Sequence, residues 1–319
     1  MKHLKKITEF KNYVKVFLLS LVLSTSLQSC NKDELTVIGD EIPTTQALNN
    51  LYDAKLASIT TIQTFDASTT LNYVSPKGVK LTLVGSNLRK NGNPVTGQVK
   101  VKYIELLDRA TMLTANKGTM ATNGAEKNLL VSGGEFYIQA YQEEVLLTLA
   151  GSMTLEIPTE LTGGPDSAML PFKGNVTSDG ELIWEQSTTS ELFIAPVQGT
   201  PNFNYNAILD GFGWFNCDRF YNNVGPKTPI TTFVPSGYGN GNSDIFLVVK
   251  SIPNSLGKTF GQFPVGLDCY LVFVTAQGDK YRYAIKPQVL TASHEVTFSL
   301  SETTVGTKEQ LTAAINALP

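Results

Sequence analysis

Three cysteines and two histidines are all that this 319-residue chain offers for thiolate or imidazole chemistry. His3 stands near the start, so His294 is the one imidazole of the remainder, and Ser-His-Asp or Cys-His catalysis could use only that residue. No partner motif surrounds it, and it reads as a strand-end histidine. A zinc site needs His and Cys ligands in number, so no metal, cofactor or catalytic residue is expected. Cys217 and Cys269 each fall inside an expected strand. They are candidates for a disulfide, which requires Cα atoms within about 7 Å. As free thiols they would serve as small apolar residues. The richest cluster is aromatic: Phe203, Tyr205, Phe212, Trp214, Phe215, Phe220 and Tyr221, mixed with Asn206, Asn216, Asp218, Arg219, Asn222 and Asn223. Rings beside amides and charges suit a sugar, whose C–H faces stack while its hydroxyls are bonded. Trp214, Phe215, Arg219 and Tyr221 are therefore the candidate glycan contacts. Alternation within 212–220 accounts for the same residues as packing, with Phe212 and Trp214 inside and Arg219 outside. The run Gly237-Tyr238-Gly239-Asn240-Gly241-Asn242-Ser243-Asp244 lacks the lysine and following helix of a phosphate loop and the spaced carboxylates of a calcium loop, and reads as a turn.

Strands must position these residues. Val79, Leu81 and Leu83 alternate with other residues, as do Val99, Val101 and Tyr103, then Phe136, Ile138 and Ala140, then Met153, Leu155 and Ile157. Turn-forming Asn91-Gly92-Asn93-Pro94 and Gly133-Gly134 separate them. The second half continues the pattern over 212–220, 245–249, 267–275, 281–285 and 296–300, with Gln277-Gly278-Asp279 as a hairpin turn. Half-buried strands need a partner layer, so the expected fold is all-β, two tandem β-sandwich domains over 56–196 and 206–319, divided at the Pro-, Gly- and Asn-rich stretch 196–206. A helix is expected within 46–58. Another should close the chain, where Thr307 and Gln310 form a capping box ahead of Leu311, Ile315 and Leu318.

The start of the chain has another logic. Residues 1–29 carry a charge of +4, leaving −7 on the remainder of a chain whose formal charge is −3. The lysines precede an apolar run over 16–27, too short to span a bilayer as a helix, which takes about 20 residues. This is the layout of a secretory signal over 1–29. Leu27-Gln28-Ser29-Cys30 resembles a lipobox, with Gln28 departing from the usual small or apolar residue. That resemblance implies cleavage before Cys30 and acylation of its thiol, so that 30–55 forms the lipidated cysteine and its tether. Two or more acyl chains anchor stably where one does not. Lys32, Asp33 and Glu34 resemble the signal that sends lipoproteins of Bacteroidota to the outer face of the outer membrane. The implied location is the outer membrane, lipid-anchored and facing the exterior. A mildly acidic exported part has no electrostatic footprint for nucleic acid.

Residues 70–149 are similar to ZU5-like β-sandwich domains through Ser75-Pro76-Lys77-Gly78-Val79-Lys80-Leu81, the strand 99–106 and Ser132-Gly133-Gly134-Glu135-Phe136. Some members of that family cut themselves at a His-Phe-Ser site, which this chain lacks. Lipobox, tether, sandwich and Gly213-Trp214-Phe215-Asn216-Cys217-Asp218 together resemble uncharacterised lipoproteins of Bacteroidota. The expectation is a non-enzymatic binding or scaffolding lipoprotein meeting a protein or glycan partner. The alternatives are a glycan-binding protein using the aromatic cluster 203–221 and a glycan-acting enzyme with paired carboxylates, which sit about 5 to 10 Å apart in such enzymes.

Overall fold

The largest sheet is built from strands whose successive residues face two different cores. The computed structural model describes residues 41–319 apart from 125, 179 and 222–224. Cys30, Lys32, Asp33 and Glu34 lie outside the described residues, as do Asn222 and Asn223. The chain is mostly β, with α-helices at Thr45–Ile59, Arg109–Thr114 and Lys308–Asn316 among the described residues.

From one edge, this central sheet runs through Thr61–Asp66, Gln98–Leu106, Glu126–Gln142, Gly213–Phe220, Leu170–Val176, Leu182–Gln186 and Met120–Asn123. Pairing is antiparallel except where Trp184 meets Ala121. A second sheet orders Glu191–Pro196, Phe203–Leu209, Met153–Pro158, Lys80–Val84 and Thr70–Val74. Between these two sheets lies one core. Val99, Val101, Tyr103, Phe136, Ile138 and Phe215 enter it from the central sheet, and Leu81, Leu83, Met153, Leu155 and Ile157 from the second. The intervening residues Ile104, Leu106, Tyr137 and Trp214 point the other way. They meet the helices and Phe246, Val248, Val272 and Val274 of a third sheet, ordered Gly257–Lys258, Ser243–Val249, Asp268–Gln277, Lys280–Val289 and Thr304–Gly306. Each large apolar side chain buried this way contributes about 1.5–3 kcal/mol.

Strand pairing runs across the stretch 196–206, where a division is expected. Pro196 faces Phe203 across an antiparallel pair, and the residues between them turn tightly, with Val197 N–H bonding Asn202 O at 2.9 Å. Gly213–Phe220 then pairs with both Glu126–Gln142 and Leu170–Val176. Residues 42–319 accordingly form one compact unit. A hairpin turn and a linker share the same Pro/Gly/Asn composition, and only the pairing separates them.

Local signals explain the helices. Thr44 Oγ1 accepts from Ala47 N–H and starts Thr45–Ile59, which turns Leu48 and Tyr52 inward. Asp108 caps Arg109–Thr114 through Thr111 N–H at 2.8 Å. The capping box of Thr307 and Gln310 opens Lys308–Asn316, whose Leu311 and Ile315 enter the second core. Gly278, at φ 62°, makes the tight turn between Gln277 and Lys280.

Trp184 is fully buried in the second core, and its Nε1–H donates to Gly118 O at 2.8 Å. Trp184→Ala should cost about 3–5 kcal/mol in urea denaturation. Because the central sheet joins both cores, circular dichroism and fluorescence should report one transition for residues 42–319. Two resolved transitions in the wild type would contradict a shared sheet.

Candidate functional site

The aromatic cluster is packing rather than a stacking platform. Trp214 is 9% and Phe215 4% exposed, and the two enter opposite cores. Trp214 packs on Tyr137 with ring centroids 5.2 Å apart and lies 6.5 Å from Trp184. Tyr221 packs against the first core and against a third, built around Leu247, Leu271, Phe273 and Phe298 on the other face of the third sheet. Arg219 Nε donates to Asp166 Oδ2 at 2.6 Å. Trp214 and Phe215 thus lack the free ring face that a sugar-facing role needs, because their strand is buried on both sides, while Tyr221 lies beyond that strand and is half-buried. Cys217 and Cys269 are free thiols, both buried. Of the two alternatives the free thiols are found, since Cys217 belongs to the first core and Cys269 to the third. Burial pushes the Cys269 thiol up to about 12. His294 is 6% exposed, with Nδ1 accepting from Thr291 N–H and Nε2 on Gln288 Oε1 at 3.1 Å. The 237–244 run is a tied turn, where Asn242 Nδ2 donates to Pro43 O and Gly237 O.

Two strands carry a feature that sequence reading passed over. Glu135 and Asp218 are fully buried carboxyls. Asn216 Nδ2 donates to Asp218 Oδ2 at 2.6 Å, and Ser132 Oγ donates to Asn216 Oδ1 at 2.8 Å. Asn254 Nδ2 donates to Ser132 O. Glu135 Oε1 and Oε2 and Asp218 Oδ1 have no hydrogen-bond partner among the described residues. Burial holds both carboxyls well above the usual carboxylate range, and the Asp218 charge raises Glu135 further. The pair resembles a catalytic dyad in composition, but burial bars a sugar from reaching it. Its chemistry is to hold protons inside the sheet.

Toward the surface from this pair lies Lys117, just after Arg109–Thr114. It is 9% exposed, and its Nζ donates to Asn116 O at 3.3 Å. No described carboxylate lies within ion-pairing distance of it. Burial lowers its pKa, while Glu135, Glu181 and Asp53 act in the opposite sense. Lys117 lines a cleft of about 180 Å³ with Asn116, Ala115 and Gly180 on one side. Asn49, Tyr52, Asp53 and Leu56 form the other wall. Their spacing places them on one face of Thr45–Ile59. Behind this wall Tyr52 Oη donates to Asp244 Oδ2 at 2.7 Å, and the buried Lys258 Nζ bridges Asp244 at 2.5 Å and Glu181 at 3.1 Å. Burial, then Asp244, pushes the Tyr52 hydroxyl up.

A second depression of about 150 Å³ borders Asp166, Phe193 and Tyr205. Its polar groups are already matched: Asp166 takes Arg219, and Tyr205 Oη donates to Gly164 O. The Lys117 cleft is the site with an unmatched charge, so it is the better candidate. Lys117 carries no motif, and its only sequence signal is a lysine standing between a short capped helix and a strand. Glu135 had a signal, since an acid follows Gly133-Gly134 inside an otherwise apolar run, and Asp218 likewise follows Cys217.

The buried acids fix a pH dependence. Both pKa values are raised above the unfolded value near about 4, so above that pH the native state retains protons that the unfolded chain releases. Stability is unaffected below that pH and falls as pH rises toward the folded pKa values, by about 1.4 kcal/mol per pH unit per retained proton. Glu135→Gln should therefore lose less stability than the wild type between pH 4 and 8 in urea titrations. Parallel curves would remove Glu135 as the titrating group. Comparison with family models, with curated proteins and with solved structures gives no match to this chain, so the site rests on its own chemistry.

Proposed function

We propose that the chain is a lipid-anchored envelope protein, displayed on the outer face of the outer membrane, that acts as a binding module without catalysing a reaction. Acylated Cys30 is its anchor, Lys32, Asp33 and Glu34 its sorting signal, and residues 42–319 its recognition unit. The observation that carries the binding role is the open cleft with the unpaired Lys117 amine on its wall. Support for the anchor comes from the order of lysines, apolar run and cysteine over 1–30. In this reading the sheets stack as β-sandwich layers, with the central sheet common to both. Such layering makes a rigid frame for a cleft whose walls come from a helix and two connecting segments.

A palmitate analogue supplied to growing cells should label the wild type and leave Cys30→Ser unlabelled. Equal label on both proteins would refute the anchor. Proteinase applied to intact cells should degrade the wild type and spare a variant with Lys32, Asp33 and Glu34 replaced by alanine; a protected wild type would refute surface display.

A further inference from the structure

The two walls of the Lys117 cleft carry opposite charges that do not neutralise each other. On one side the Lys117 ammonium is largely withdrawn from water and bonds only its neighbour's carbonyl oxygen at 3.3 Å. A buried ammonium without a counter-ion is costly, and a carboxylate brought by a ligand would remove that cost through a charge-assisted hydrogen bond. On the other side Asp53 projects from the exposed part of Thr45–Ile59, with no described hydrogen-bond or ion-pair partner, and its charge reaches Lys117 across the cleft. Of the other groups near Lys117, Lys258 is held between Asp244 and Glu181, and Glu135 is a buried carboxyl that desolvation holds well above the usual carboxylate range.

We infer that this cleft binds a small zwitterion, the free α-amino acid, with its carboxylate on Lys117 and its ammonium on Asp53. This rests on the binding-module reading above. A bare anion would gain Lys117 but meet Asp53 and Glu181, and a bare cation would gain Asp53 but meet Lys117. A molecule bearing both charges satisfies both walls. The volume of about 180 Å³ lies below the range of drug-sized sites and suits a single amino acid. Leu56 supplies a short apolar surface, which favours a small aliphatic side chain. Asn49 adds an exposed amide, and Asn116 adds a buried Oδ1 that has no hydrogen-bond partner among the described residues.

Isothermal titration of the full-length chain in detergent tests the inference, with alanine, propionate, ethylamine and glucose as probes. Alanine should bind at least about tenfold more tightly than propionate or ethylamine, and Lys117→Gln and Asp53→Asn should each weaken it by about tenfold or more. Glu191→Gln, an exposed position on the edge strand Glu191–Pro196 of the second sheet, should leave it unchanged. Asp53 is exposed, so its variant keeps the test decisive even where Lys117→Gln disturbs folding. Propionate binding as tightly as alanine, or alanine binding unmoved by Asp53→Asn, would overturn the zwitterion. Glucose binding that Lys117→Gln abolishes would overturn the zwitterion and keep the cleft as a binding site. No heat with any probe would overturn both.

Discussion

Burial of the central sheet on both faces is the constraint on which the rest of the structure depends. Glu126–Gln142 and Gly213–Phe220 lie side by side in its middle, and every residue over 128–136 and 214–218 is buried. A strand buried on one face can turn its polar residues outward, whereas these two strands have no outward side. Polar residues between them must satisfy one another or remain uncharged, hence the chain from Ser132 through Asn216 to Asp218. The strands also approach closely at an irregularity between Asn216 and Asp218. A Cβ at Gly133 would stand 2.6 Å from Cys217 O, so glycine is required by contact rather than by backbone conformation.

Much of this fold was legible because alternation survives wherever a strand meets one core. Val79, Leu81 and Leu83, then Val99, Val101 and Tyr103, then Met153, Leu155 and Ile157 all enter the same core, as their spacing implied. Thr307 and Gln310 marked the closing helix because capping is a local interaction between residues three apart. Two-sided burial was not legible. In Gly213–Phe220 the residues from Trp214 to Asp218 are buried without a break, so the alternation that would place Trp214 inside and its neighbour outside does not exist. For the same reason the burial of Glu135 and Asp218 shows only once their strands have neighbours. The hairpin over 196–206 was hidden for another reason, since strand pairing across a turn is a tertiary fact that composition does not carry.

The candidate site follows from how the second core is roofed. Thr45–Ile59 uses Leu48 and Tyr52 for packing and leaves Asn49, Asp53 and Leu56 for the cleft. Tyr52 joins the two roles, lining the cleft while its hydroxyl is fixed on Asp244. Lys117 is drawn inward by the same packing, with its amine 6.0 Å from the Trp214 ring centroid. The aromatic cluster that first suggested a sugar face thus supports the cleft from beneath.

Pro43 is held by Asn242 one residue before Thr44 caps the helix that makes one wall of the cleft. Asn242 is itself tied to Gly237 and Gly239, so this clasp joins the incoming chain to a distant turn. The start of the wall that presents Asp53 is thereby fixed twice, by its own cap and by a turn 199 residues further along the chain.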